Sequence, residues 1–139
     1  MFLYNLFIQK ATTMTIHKNL ALDRKTFQNM VQENQGLLIL KFGATWCEPC
    51  KRIEPIVEKR FTELSLYNHH QVTCAMIDID DNFDLYAFLK TRKVVKSIPA
   101  IVCYLPDNET VYPDDIVNTS DEKEVNAFFD RCEGLLKAK

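Results

Sequence analysis

The hexapeptide Trp46-Cys47-Glu48-Pro49-Cys50-Lys51 constrains this chain more than any other stretch. It follows an apolar run, Leu37-Leu38-Ile39-Leu40, that continues through Lys41-Phe42-Gly43-Ala44-Thr45. It precedes a segment from Arg52 in which Ile53, Ile56, Val57, Phe61 and Leu64 recur at helical spacing. The pattern is a strand that delivers two cysteines to the start of a helix. Unpaired backbone N–H groups in a first helical turn, together with the positive end of the helix dipole, stabilise a thiolate at the first cysteine. Cys47 is therefore the candidate nucleophile. Two intervening residues bring Cys50 back within disulfide reach across one turn, which makes Cys50 the candidate resolving thiol for a mixed disulfide formed at Cys47. Pro49 suits the opening of a helix, where its missing N–H costs no hydrogen bond.

Chemistry other than thiol exchange finds little support. A zinc site would need two further ligands at suitable spacing, and there is no second Cys-x-x-Cys and no paired His set; His69 and His70 are adjacent, a poor spacing for one metal. Asp78, Asp80, Asp81 and Asp84 lack the Gly and terminal Glu of a calcium loop, and a strand end followed by a helix N-terminus explains them more simply. We expect no metal and no bound cofactor beyond a redox-active Cys47–Cys50 disulfide. With 17 basic and 19 acidic residues well mixed and a net charge of −2, no nucleic-acid or acidic-lipid partner is expected. No apolar run approaches the ~18 residues of a membrane span.

Five cysteines in 139 residues do not make a disulfide framework, so a reducing compartment, the cytoplasm, is expected. Cys74 and Cys103 lie among strand-forming apolar residues and read as core. Cys132, on a predicted helix, reads as packing or as an exposed thiol able to form a regulatory disulfide. Asn108-Glu109-Thr110 and Asn118-Thr119-Ser120 are glycosylation triplets read as unused.

The length suits one domain over residues 15–139. Residues 1–14 read as an N-terminal extension, frayed or docked on the surface, with Met14 as an alternative start. Thr15 to Leu22 is weakly extended. Asp23 caps a helix to about Glu33 that buries Phe27, Met30 and Val31, and Gly36 closes it. Gly36 to Phe42 reads as a strand buried on both faces. A helix is expected from Cys47 to about Tyr67, kinked at Pro55. A strand over Gln71 to Ile79 and a helix over Phe83 to Arg92 follow, the latter burying Leu85, Phe88 and Leu89. Val94 to Tyr104 is strand-like but for Pro99, which implies an edge, a strand start or a cis bond. Val111 and Tyr112 begin a last short strand, Pro113 to Thr119 is a loop, and Asp121 with Glu124 forms a capping box for a helix carrying Val125, Phe128, Phe129 and Leu135.

This order of elements, with Trp46-Cys47-x-Pro49-Cys50-Lys51, Pro55 and the downstream pair Ile98-Pro99, resembles the thioredoxin family from about Thr15 to Leu136. The resemblance implies an α/β thioredoxin-like fold, a central mixed sheet flanked by helices on both faces. It implies reduction of protein disulfides through the Cys47/Cys50 dithiol, with electrons from a thioredoxin-reductase-like enzyme or another thiol donor, in a monomer or weak dimer. Pro99 takes the role of the family's cis-proline, and Ile98 supplies backbone that pairs with an extended substrate; Trp46, Glu48 and Pro49 line the same docking rim. The alternative is a thioredoxin-like adaptor subunit of a larger assembly with little redox turnover.

Three departures bear on function. Glu48 stands where thioredoxins carry Gly, and a carboxylate beside Cys47 disfavours its thiolate, which predicts a more reducing pair. Lys41 replaces the buried Asp that serves the resolving cysteine, and Met76 replaces the Lys that accompanies it. An ammonium there either lowers a nearby thiol's pKa, turns neutral and acts as a base, or snorkels to solvent and does neither. Asn108, the Pro113–Thr119 loop and a long Asp80–Pro99 segment alter the docking rim, which predicts a dedicated partner or poor turnover by a general reductase.

Overall fold

Seven consecutive buried residues form β2 (Leu37–Gly43), and a strand buried along its whole length, apolar but for Lys41, belongs at the centre of a sheet covered on both faces. The computed structural model describes residues 15–67 and 71–137; the expected extension, His69 and His70 lie outside the described residues. Around β2 the described chain runs β1 (Thr15–His17), α1 (Arg24–Gln32), β2, α2 (Glu48–Leu64), β3 (Val72–Asp78), α3 (Phe83–Thr91), β4 (Ala100–Tyr104), β5 (Asp115–Val117) and α4 (Glu122–Lys137). The strands form one sheet in the order β1-β3-β2-β4-β5. β1 and β2 run parallel to β3, while β4 runs antiparallel to both β2 and β5.

Strand alternation divides the core into two layers. Leu38, Leu40 and Phe42 of β2 face Phe27 and Val31 of α1 and Leu85 and Leu89 of α3. Leu37 and Ile39 face Ile53, Val57, Phe61 and Leu64 of α2 and Val125, Phe128 and Phe129 of α4. Helices thus cover both faces, and each fully buried Phe or Leu contributes about 1.5–3 kcal/mol. A reciprocal capping box opens α1: Asp23 Oδ1 accepts the Thr26 N–H at 2.8 Å, and the Thr26 hydroxyl accepts the Asp23 N–H at 2.9 Å. Arg60 ties α2 to α4, its Nη2 lying 2.7 Å from both Asp130 Oδ1 and Glu133 Oε1.

Several expectations are corrected. The last strand is β5, inside the segment read as the Pro113–Thr119 loop, and Val111 and Tyr112 precede it. Three residues with one apolar pair carry too little pattern to reveal a strand whose place is set by Ile101↔Val117 and Cys103↔Asp115 pairing. Gly36 is no left-handed cap, since no glycine has positive φ. It is small because a Cβ there would meet the Gln71 carbonyl oxygen at 1.9 Å. The helix from the cysteines ends at Leu64 rather than Tyr67. In α4 Leu136, not Leu135, enters the core, and Phe88 of α3 is half-buried beneath Arg24 and Arg92. Cys132 is fully buried, together with Cys74 and Cys103.

Candidate active site

β2 passes through Ala44-Thr45-Trp46 into α2, and Cys47 occupies the N-cap with extended backbone (φ −90°, ψ 105°). Its Sγ accepts the Cys50 N–H at 3.2 Å, the bond that a capping side chain makes in a helix's first turn. Cys47 and Cys50 are joined in a disulfide with Cα atoms 5.3 Å apart, a separation ordinary for bridged cysteines. Once reduced, a Cys47 thiolate would lie at the positive end of the helix dipole, against a ready N–H donor. Cys50 lies one turn on, facing inward at 2% exposure against 5% for Cys47.

The surroundings of the pair divide into a wet rim and a covered floor. Trp46 is 63% exposed and is held by its Nε1–H, which donates to Asp80 Oδ2 at 2.8 Å. The Glu48 carboxylate is exposed and lies 3.6 Å from Lys51 Nζ, so its charge beside Cys47 is partly answered within the same helical turn. Pro49 falls in that first turn and is half-buried. The antiparallel register sets Ala100 opposite Phe42, which brings Ile98-Pro99 alongside the turn that leads to Cys47. The Ile98–Pro99 peptide bond is cis. Asn118 braces that segment: its Nδ2 donates to the carbonyls of Ser97 (2.9 Å) and Pro99 (3.0 Å), and its Oδ1 accepts the Lys96 N–H at 2.9 Å.

Lys41 forms the floor. Two residues beyond Ile39 on the same face of β2, it lies beneath the start of α2 at 5% exposure, so it does not snorkel to solvent. Nζ donates to the Cys50 carbonyl at 3.4 Å. Its neighbours across the sheet are Met76 and Ile101, neither of which carries a charge. Burial pushes the Lys41 ammonium below its usual pKa, while Glu54 and Glu58 on α2 oppose that shift. A cleft of about 380 Å³ opens beside it, lined by Lys41, Gly43 and Cys50.

The other three thiols are remote in character. Burial raises the Cys74 thiol far above the usual range, and a hydrogen bond with Cys132 together with burial does the same for Cys103. Neither forms a thiolate nucleophile at neutral pH. Among the described residues no group of three or more His, Cys, Asp or Glu side chains is placed to hold a metal ion. No helix among them is long and apolar enough to cross a membrane.

The sequence model of the family described as Thioredoxin matches residues 18–131, most of the chain. The chain belongs to the thioredoxin family. It is 30% identical over 112 residues to "Thioredoxin, mitochondrial" of Mus musculus, a match covering 81% of this chain and 61% of that protein. It is also 30% identical over 99 residues to "Bifunctional thioredoxin reductase/thioredoxin" of Mycobacterium leprae, covering 68% of this chain and 20% of the relative. The match thus spans less than two thirds of these relatives' own lengths. Among solved structures, Fasciola hepatica thioredoxin superposes with a TM-score of 0.61 at 25% identity, covering 82% of this chain and 97% of that one. Plasmodium falciparum thioredoxin gives the same TM-score at 21% identity, over 82% and 97%. The thioredoxin-like fold expected from the cysteine motif is the fold observed.

Two residues of the site were invisible to sequence reasoning. Asp80 was read as a strand-end acid, yet it anchors the exposed thioredoxin-motif tryptophan; Asn118 was read as an unused glycosylation triplet, yet it holds three backbone groups around Pro99. Both act across 19 or more residues of sequence, and neither has a local signature.

Proposed function

We propose that this thioredoxin-family chain reduces protein disulfides. The observation that carries the proposal is the Cys47–Cys50 disulfide at the N-terminus of α2, with the Cys50 N–H already directed at Cys47 Sγ. In the reduced protein, Cys47 thiolate attacks one sulfur of a substrate disulfide and expels the other as thiolate, leaving a mixed disulfide. Cys50 then loses its proton and attacks Cys47 Sγ, which releases the second substrate sulfur and regenerates the internal disulfide. Two electrons from outside restore the dithiol, and no bound cofactor takes part.

In this reading the extended substrate backbone lies along Ile98 and Pro99, with Trp46, Glu48 and Pro49 at the rim of the contact. Lys41 acts on Cys50 from below, as a cation that favours its thiolate or, when neutral, as an acceptor of its proton. The name of the Mycobacterium leprae relative joins thioredoxin reductase to thioredoxin, which supports an enzyme of that kind as electron donor here. We assign residues 15–139 as one domain acting in the cytoplasm as a monomer or weak dimer. Relatives named mitochondrial and chloroplastic make the compartment a matter for direct localisation of the tagged chain.

Insulin reduction by dithiothreitol tests the activity. Catalysed precipitation that Cys47→Ser abolishes supports the enzyme. A background rate with the native protein refutes it in favour of an adaptor role. A Cys50→Ser variant should accumulate mixed disulfides with its substrates in cell extract.

A further inference from the structure

We propose that the cleft behind Cys50 binds a small carboxylate-bearing molecule, with Lys41 as the buried cation that receives it. Lys41 is more than nine-tenths buried, and of the three donors on Nζ one is used, in a long 3.4 Å bond to the Cys50 carbonyl. Among the described residues no carboxylate lies within 4 Å of it; Glu54 and Glu58 act on it from farther away. A buried ammonium without a close counter-charge is unfavourable by several kcal/mol unless it sheds its proton or acquires an anion. The cleft supplies a place for that anion.

The cleft holds about 380 Å³, or roughly a dozen waters at about 30 Å³ each, which suits an organic acid of about ten heavy atoms or fewer. Gly43 lines the cleft beside Lys41 and Cys50. A Cβ at that position would lie 3.4 Å from Cys50 Sγ and 3.8 Å from Lys41 Cε, so the missing side chain leaves space in contact with both. Met76 and Ile77 give one apolar wall for a hydrocarbon tail.

Charges around the cleft select the head group. Lys18 and Lys51 stand at the rim as cations, and Glu54 and Asp78 as carboxylates, with Glu58 acting on Lys41 from the next turn of α2. Lys51 is engaged by Glu48 at 3.6 Å, and Asp78 Oδ1 accepts the Asp80 N–H at 2.8 Å. With Lys51 so engaged, Lys18 and Lys41 balance Glu54 and Asp78 around the cleft, and a monoanion adds less repulsion there than a dianion. A phosphate dianion would be repelled by both acids. Because the bound form holds Lys41 protonated, affinity is full and level with pH as long as free Lys41 keeps its proton. It falls about tenfold per pH unit above the point at which free Lys41 loses its proton.

The inference does not depend on disulfide reduction, since occupancy is read directly. The full oxidised chain, 15N-labelled and carrying 13Cε-lysine, is titrated with sodium propionate at constant ionic strength, against sodium chloride and sodium phosphate. Saturable shifts at Gly43, Cys50, Met76 and the Lys41 13Cε are expected, weaker by about tenfold for each pH unit in the upper range and absent in Lys41→Met. Shifts that stay linear in concentration, that chloride reproduces, that persist in Lys41→Met, or that phosphate produces at lower concentration overturn the proposal. Should Lys41→Met fail to fold, Gly43→Ala decides, because its methyl would fill the space in contact with Cys50 Sγ and Lys41 Cε: weaker propionate binding supports the site, and unchanged binding overturns it.

Discussion

Lys41→Met isolates what a buried ammonium with no close counter-charge among the described residues does to this protein. Methionine keeps an unbranched stem that fills the same space and removes the charge. In the unfolded chain Lys41 titrates near its usual value of 10.5, whereas burial lowers it in the folded state. The sign follows from proton counting. Below the folded pKa both states hold the proton, and the desolvation penalty is fully present. Between the folded pKa and 10.5 the unfolded state holds more protons, so stability rises with pH by up to about 1.4 kcal/mol per unit. Above 10.5 the penalty is gone. Methionine has no such penalty at any pH. The lost hydrogen bond to the Cys50 carbonyl is long and costs about 0.5–1 kcal/mol. The variant should therefore be the more stable protein at neutral pH, by about 1–3 kcal/mol, or very roughly 3–10 °C in Tm. That advantage should shrink as pH rises toward 10.5. Urea denaturation of both oxidised proteins at one-unit pH intervals measures it, because titrating groups that do not interact with Lys41 enter both curves equally. Parallel curves, or a variant less stable than native by more than about 1 kcal/mol, would refute the account of Lys41 as an uncompensated buried charge.

Asn118→Ala removes one acceptor and two donors around Pro99, so a loss of about 1–3 kcal/mol in denaturant midpoint stability is expected, with a several-fold rise in KM for a protein disulfide and kcat largely retained. Glu48→Gly should move the potential of the pair toward the oxidising side. The exposed carboxylate already faces Lys51, so equilibration with glutathione should find a shift of no more than about 20 mV, the equivalent of about 1 kcal/mol. Gly36→Ala should destabilise by about 2–4 kcal/mol or prevent folding, since its Cβ would strike the Gln71 backbone. Gly134→Ala, with open space at its Cβ, should instead raise Tm through the ~1 kcal/mol difference in helix propensity.

The cysteine motif, the helical stripe of Ile53, Val57, Phe61 and Leu64, and the unbroken run of β2 were legible because each is a pattern of near neighbours. A helix N-cap needs only the residues within one turn, and burial on both faces of a strand leaves a continuous apolar text. Asp23 with Thr26 shows the limit of such reading: the cap position is evident, but the reciprocal partner is a threonine rather than the usual Glu or Gln. β5 escaped because three residues pair by register with a strand already in place, so their own composition hardly matters. Gly36 was assigned the wrong reason, because a close approach to Gln71 is a property of two distant segments.

What the sequence alone determined is the redox pair and the scaffold that presents it: Cys47 at the head of a helix, Cys50 one turn on, and Ile98-Pro99 downstream. The departures at Glu48, Lys41 and Met76 were visible as letters, but their meaning was not. Charge acts through distance and solvent, and only the folded chain fixes those quantities. Tertiary structure left Glu48 in water beside Lys51 and buried Lys41 under Cys50 without a close counter-charge among the described residues. It also set Asp80 against Trp46 and Asn118 against the Pro99 segment, because hydrogen bonds between remote segments have no local trace in sequence.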